Sequence, residues 1–170
     1  GVIAGVSIES FFREMVQPAA EISDFDKLPV PYRAIATDLE TGAAVVLGSG
    51  SVARAMRASM SVPGGMAPVE IDGRLLVDGG LADNLPIDQA RRLCGDVVIA
   101  VNISTPPLRR DQITSAASVT AQMINFIGLQ TVLTIHHPAL SDDLHADDAL
   151  AGSVHLLEDG LHVLGCLLPG

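Results

Sequence analysis

The spacing of apolar residues predicts that helices and strands alternate along the first two thirds of the chain. Apolar residues at helical spacing after Ser7, the expected N-cap, predict a first helix that ends at Pro18. A second helix is expected after a cap at Ser49 or Ser51, and a third from Pro86 to Leu93. A fourth amphipathic helix is indicated by the apolar residues between Ile113 and Ile127.

Strands are predicted between these helices. The segment "YRAIATDL" alternates well enough for one strand, and a short strand is expected within "TGAAVVLGSG". The pair "VEI" and "RLLV" is joined by Asp72-Gly73, a strong signal for a two-residue hairpin. The run "DVVIAVNIS" is apolar throughout, as expected for a strand buried on both faces. The order of elements predicts an α/β sandwich with a mostly parallel sheet.

The stretch "LLVDGGLADNLP" places an acid directly after a predicted buried strand. Asp78 is expected at the C-terminal end of that strand, where α/β proteins usually position reactive groups. Gly79 and Gly80 allow a sharp turn and a close approach by another group. From the pattern alone, Asp78 is either a turn-forming residue or a catalytic carboxylate.

Composition narrows the class of protein. The chain has 170 residues, of which 48% are hydrophobic and 3% aromatic, and this favours one compact domain with an aliphatic core. The net charge of -10 argues against a nucleic-acid partner and against attraction to an anionic membrane. The most apolar segment, "VTAQMINFIGLQTVLTI", contains Gln122, Asn125 and Gln130, so no transmembrane helix is predicted.

The composition changes after Gln130. Beyond this point the sequence has no Lys or Arg, contains all five histidines of the chain and is rich in acids. Histidine and aspartate are suitable metal ligands, but their spacing fits no zinc signature, and a solvated tail is the favoured interpretation. Cys94 and Cys166 are interpreted as buried thiols rather than as a disulfide or metal pair. We therefore predict a domain over residues 1–130 and a divergent acidic tail over residues 131–170, with no metal site.

The region from Asp24 to Gln130 resembles the C-terminal half of a bacterial patatin-like phospholipase domain. The likeness rests on "ATDLETG", "ASMSVPG" and "VDGGLADNLP", which follow one another in the order and spacing of that family. The resemblance implies a three-layer α/β/α fold related to that of the α/β-hydrolases, here present as a partial domain. It also implies a lipid acyl hydrolase with a Ser-Asp dyad, in which Asp78 is the acid and Gly79 and Gly80 form the active-site loop.

The nucleophile that this family uses is not found in these 170 residues. A nucleophile elbow requires a strand, then G-x-S-x-G, then a helix, and the nearest match, "GVSIE", has Glu9 in place of the second glycine. Ser7 is therefore interpreted as a helix cap. The glycine-rich oxyanion loop of the family is also missing. We expect the chain to be the downstream part of a longer hydrolase and to be inactive alone, although a natural pseudoenzyme fits the same observations.

Other polar residues have weaker claims to a chemical role. Ser59 and Ser61 precede a proline and glycines, so hydrogen bonds within a loop are expected for them. A calcium site at Asp78, Asp83 and Asn84 would lack any EF-hand spacing. Asp38 also ends a predicted strand, but its neighbours favour a role in a turn.

Two functional hypotheses follow from the resemblance. The first is a hydrolase of phospholipids or related acyl esters, and the second is a non-catalytic lipid-binding or interaction module on the same fold. No cofactor is implied, because hydrolysis by a dyad needs only water. Peripheral membrane contact and a cytoplasmic location are both compatible with the family, and the sequence indicates no oligomeric state.

Overall fold

The computed structural model describes residues 5–94, 98–101, 105–143, 154–155 and 165–166. The helices are α1 Gly5–Met15, α2 Val52–Ser59, α3 Ile87–Cys94 and α4 Ala116–Asp143. The strands are β1 Ala34–Asp38, β2 Ala44–Leu47, β3 Val69–Ile71, β4 Arg74–Asp78, β5 Val98–Ile99, β6 Val154–His155 and β7 Gly165–Cys166. Short 3-10 helices occupy Gln17–Ala19, Phe25–Lys27, Gly79–Leu81 and Arg110–Gln112.

A four-stranded sheet in the order β2-β1-β4-β3 forms the centre of the described chain. All of its neighbouring strands are antiparallel, so the prediction of a mostly parallel sheet is wrong for this sheet. The reason is the length of the connections: residues 39–43 join β1 to β2, and Asp72-Gly73 joins β3 to β4. Such short connections can only reverse the chain, whereas parallel strands need a long crossover.

The sheet packs one face against α2. Phe25, Leu47 and Leu76 form the core there together with alanines of β1 and α2. Strand β1 lies between β2 and β4, and each of its residues is buried, so the strand is covered on both faces of the sheet. Since paired residues of antiparallel strands share a face, the pairing of Ala36 with Asp78 directs the Asp78 side chain toward the face that α2 covers.

Local sequence signals explain where several elements begin and end. Ser51 caps α2, because its hydroxyl accepts a hydrogen bond from the N–H of Arg54 at 3.4 Å. The hairpin turn has Asp72 at φ 51° and Gly73 at φ 73°, as a type I′ turn requires. Helix α1 already begins at Gly5, so Ser7 lies in its first turn and the prediction of Ser7 as the N-cap is wrong.

The C-terminal third of the chain is described only in part. Val98 is buried but Ile99 is 40% exposed, so the expected burial on both faces does not hold for these two residues of β5. The α4 backbone continues through Thr131 to Asp143, and the division of the chain at residue 131 stays a prediction. The expectations for Cys94, Cys166 and the five histidines concern side chains that lie outside the described part.

No helix among the described residues has both the length and the apolar character to cross a membrane.

Candidate active site

The Asp78 main chain is held from two sides at the end of β4. Its N–H donates to the carbonyl of Ser61 at 3.1 Å, and its carbonyl accepts a hydrogen bond from the Thr37 hydroxyl at 2.7 Å. Thr37 lies on the neighbouring strand β1, and Ser61 follows α2 in the chain. Both partners are themselves buried, so the backbone of Asp78 has little freedom to move.

The Asp78 carboxylate is half-buried and forms one hydrogen bond within the described chain. Its Oδ1 accepts from the N–H of Gly80 at 2.7 Å and thereby caps the 3-10 helix Gly79–Leu81. The turn-forming role considered for Asp78 is therefore present. Its Oδ2 accepts no hydrogen bond from the described residues and remains available to another group.

Burial changes the acidity of this carboxylate. Desolvation raises the pKa of Asp78 above its ordinary value of 3.8, and the hydrogen bond from Gly80 opposes this rise. A carboxylate with a raised pKa is a stronger base, as a group that must take a proton from a hydroxyl requires.

Gly79 and Gly80 both lie close to other groups, and the contact is tighter at Gly79. A Cβ on Gly79 would lie 2.2 Å from the Ile35 carbonyl oxygen, inside the central strand β1. A Cβ on Gly80 would lie 2.8 Å from Oδ1 of Asn84 and 3.1 Å from Oδ1 of Asp78. Gly79 is therefore required for the turn to pack against the sheet, whereas a side chain at position 80 would displace the ends of the Asn84 and Asp78 side chains.

Helix α4 packs against the loop that follows Asp78. The N–H of Asn84 donates to the Thr131 hydroxyl at 3.3 Å, and that hydroxyl donates to the carbonyl of Gly128 at 2.9 Å. A Cβ on Gly128 would lie 3.4 Å from Nδ2 of Asn84 and 3.6 Å from the Gly80 carbonyl. This contact includes the first residue of the segment that we predict to be a divergent tail.

The other candidate residues have structural roles where they are described. Ser61 is fully buried, and its hydroxyl donates to the Arg57 carbonyl at 2.7 Å, so its role is local but its partner lies in helix α2 and not in the expected loop. Asp38 accepts hydrogen bonds from the N–H groups of Glu40 and Thr41, so its expected role in a turn is confirmed. Among the described residues, no group of His, Cys, Asp or Glu side chains is arranged to hold a metal ion.

The sequence did not reveal the contacts of Thr37 and Arg57. Thr37 is buried because β1 is an inner strand that is covered on both faces. Arg57 is buried on α2, although arginine is normally exposed. A signal for Arg57 was present: it follows the buried Ala53 by four residues and so lies on the same face of the helix.

The hydroxyl of Thr37 should contribute measurably to stability. We expect Thr37→Val, which preserves the side-chain shape, to lower the free energy of unfolding by about 1–2 kcal/mol, because the partly buried Asp78 carbonyl loses the Thr37 hydroxyl as donor. Urea denaturation monitored by circular dichroism measures this. Thr120→Val is the control, since Thr120 is exposed and donates only within α4, and we expect a change below about 0.5 kcal/mol. Equal losses in the two variants would contradict the prediction.

The two carboxylates of Asp24 and Asp78 should titrate on opposite sides of pH 3.8. The N–H of Asp26 and the Lys27 side chain lower the pKa of the exposed Asp24, whereas burial raises the pKa of Asp78. Carboxyl ¹³C shifts followed by NMR against pH measure both midpoints. Because the folded-state pKa of Asp78 is raised, its contribution favours folding below pH 3.8 and is lost as pH rises through the folded-state pKa. A midpoint for Asp78 below that of Asp24 would contradict this assignment.

The chain matches known proteins over most of its described part. The family model for patatin-like phospholipase matches residues 3–91. An uncharacterised NTE family protein of Mycobacterium tuberculosis (strain ATCC 25618 / H37Rv) is 39% identical over 127 residues, which are 74% of this chain and 33% of the relative.

Two eukaryotic relatives share shorter or more divergent regions. Patatin-like phospholipase domain-containing protein 7 of Mus musculus is 45% identical over 82 residues, 47% of this chain and 6% of that protein. Lysophospholipase nte1 of Aspergillus fumigatus is 32% identical over 124 residues, 70% of this chain and 8% of that protein. The chain thus spans a third or less of the length of these relatives. The matched region contains β1, β4 and the whole Asp78 turn, and the chain belongs to the patatin-like phospholipase family.

Proposed function

We propose that this chain carries the acid of a Ser-Asp acyl-ester hydrolase that acts on phospholipids or related lipids. The observation that supports it best is the Asp78 carboxylate: it ends a strand, its pKa is raised by burial, and its Oδ2 is not engaged by the described residues. Membership of a phospholipase family supplies the substrate class. The name of the Aspergillus fumigatus relative, a lysophospholipase, agrees with a lipid ester as substrate.

In the proposed reaction Asp78 acts directly as the base. Its Oδ2 accepts the proton of a serine hydroxyl while the serine oxygen bonds to the acyl carbonyl carbon, and the carbonyl electron pair moves to the oxygen. When that intermediate collapses, the ester C–O bond breaks and the leaving alcohol takes the proton back from Asp78. A water molecule then repeats the sequence on the acyl-enzyme, which releases the fatty acid and restores the serine.

The proposal places the nucleophile outside these 170 residues, because no G-x-S-x-G lies within them. The relatives are at least about three times as long as the matched region, so they leave ample length for an elbow and an oxyanion loop. Without preorganised donors for the oxyanion, rates fall by roughly 100-fold to 1000-fold per donor, and we therefore propose that the 170-residue chain alone is inactive.

The test is to express the native-length protein from its whole open reading frame and treat it with a fluorophosphonate probe, which labels activated serines. We expect hydrolysis of short acyl esters and of lysophospholipid, with the label on a serine outside the 170 residues. Labelling of a serine within these 170 residues would contradict the proposed location of the nucleophile.

The lipid-binding alternative makes the opposite prediction in the same experiment. It expects a fluorescent fatty acid to bind to the native-length protein without turnover and without labelling by the probe. Binding alone would replace the hydrolase proposal with a non-catalytic lipid-binding function.

A further inference from the structure

Arg57 is a buried cation outside the Asp78 turn. It lies in the last turn of α2 and is only 3% exposed. Burying a guanidinium is costly unless its donors are satisfied, and buried arginines are usually paired with a carboxylate. The ion pairs found among the described residues do not include Arg57. Its guanidinium instead donates hydrogen bonds to neutral groups.

Those hydrogen bonds hold both ends of one loop. The Nη1 group of Arg57 donates to the Ser61 hydroxyl, and Nη2 donates to the carbonyl of Ala67 at 3.0 Å. The Ser61 hydroxyl in turn donates to the Arg57 carbonyl at 2.7 Å. We call residues 61–67 the 61–67 loop. The planar guanidinium presents several donors in a fixed arrangement, which suits it to bridging two acceptors in this way.

The 61–67 loop is connected directly to the backbone of Asp78. The Ser61 carbonyl accepts the Asp78 N–H at 3.1 Å. Strand β3 pairs with β4 only from Val69 to Ile71, so Ser61 provides the acceptor for Asp78 beyond the end of that pairing. A chain of contacts thus runs from the buried guanidinium through Ser61 to the main chain of the acid.

We propose that Arg57 is a positioning residue for Asp78 and acts by fixing Ser61 and the 61–67 loop. This inference rests on the proposed function of Asp78 as the base of the dyad. Arg57 does not touch the carboxylate. It holds the backbone from which the carboxylate extends, and a base displaced by about 1 Å can lose about 100-fold in rate.

The first experiment measures hydrogen exchange of the Asp78 amide by NMR in the native-length protein. Arg57→Met retains the buried stem but removes every donor, and replacing a buried charge with an apolar side chain is often tolerated. We expect the Asp78 amide to exchange at least about tenfold faster than in the wild type, while the amides of β1 keep their protection.

The matched control is Arg54→Met on the same helix. Arg54 is exposed and donates to the carbonyl of Glu70 at 2.7 Å, so it also joins α2 to the sheet but has no link to Ser61. We expect this variant to leave the exchange of the Asp78 amide unchanged. Wild-type exchange at Asp78 in a folded Arg57→Met protein would overturn the proposal.

Ser61→Ala tests the same link if Arg57→Met does not fold. This variant removes the hydroxyl that accepts from Arg57 and keeps the Ser61 carbonyl that accepts from Asp78. We expect faster exchange at Asp78 here too, and unchanged exchange would again overturn the proposal.

The second experiment separates positioning from overall stability in the native-length hydrolase. We expect Arg57→Met to lower kcat by about 10-fold to 100-fold with KM within about twofold of the wild type, because substrate contacts are preserved. Arg57→Lys, which can reach one acceptor, should recover part of the loss. An unchanged kcat would remove Arg57 from the mechanism. If Asp78→Asn itself retains normal turnover, the proposed function fails, whereas the exchange result on the Asp78 amide stands independently.

Discussion

We expect Asp78→Asn to lower turnover of acyl esters by the native-length protein by about 100-fold to 10,000-fold, the usual contribution of a positioned general base. Asparagine preserves the shape of the side chain and can still accept the hydrogen bond from the Gly80 N–H through its amide oxygen. It cannot take a proton from a hydroxyl. Initial rates with a p-nitrophenyl ester, measured at saturating substrate, report this change.

The same variant should fold at least as well as the wild type at pH 7. Because burial raises the pKa of Asp78, the charged carboxylate costs stability in the folded state at neutral pH, and the neutral amide avoids this cost. A melting temperature equal to or above that of the wild type would show that lost turnover is not lost folding.

Asp38→Asn is the matched control for this experiment. Asp38 is also an acid at a strand end, and its pairing with Leu76 places it on the same face of the sheet as Asp78. Its carboxylate accepts two hydrogen bonds from the N–H groups of Glu40 and Thr41, which an amide oxygen can also accept. We expect turnover within a few-fold of the wild type. The dyad assignment would be refuted if Asp38→Asn and Asp78→Asn had equal effects.

We expect Gly79→Ala to lower the free energy of unfolding by about 3 kcal/mol or more, at the upper end for an overpacked site. The added methyl would lie 2.2 Å from the Ile35 carbonyl oxygen and 2.6 Å from the carbon of that carbonyl. These are backbone atoms of a buried central strand, so no side-chain rotation can relieve the clash. Urea denaturation of the purified variant measures the loss, and failure to accumulate as folded protein is its extreme form.

Gly65→Ala provides the comparison for Gly79→Ala. A Cβ on Gly65 would lie 3.6 Å from the Val62 carbonyl oxygen, an ordinary contact distance. We expect a change of less than about 1 kcal/mol for this variant. Similar stabilities of the two alanine variants would show that the turn after Asp78 can move away from β1, and the requirement for glycine at position 79 would then be disproved.

The local features of the site could be predicted from the sequence because each depends on neighbours in the chain. The Asp72-Gly73 turn, the Ser51 cap and the position of Asp78 at a strand end are all set within a few residues. The order of helices and strands predicts a parallel sheet, whereas the short connections within the strand pairs require antiparallel strands. No helix separates β1 from β2 or β3 from β4, and that absence is visible in the sequence.

The support around Asp78 could not be predicted in the same way. The Thr37 hydroxyl bonds to a residue 41 positions away in the chain, and Asn84 bonds to one 47 positions away. Such contacts follow from tertiary packing and leave no periodic pattern. Helical spacing places Arg57 on the buried face of α2, but its hydrogen bonds to Ser61 and Ala67 are contacts with the 61–67 loop that the residue types do not predict.

The antiparallel sheet has a consequence for how this region folds. Its outer strand pairs, β1 with β2 and β3 with β4, are hairpins with short connections, so each can form early and at low entropic cost. Only the pairing of β1 with β4 joins segments that are distant in the chain, and it includes Ala36 opposite Asp78. The step that unites the two hairpins is therefore also the step that brings the acid to its final position. If the hairpins form before β1 pairs with β4, variants at the β1–β4 pairing should refold more slowly while both hairpins still form.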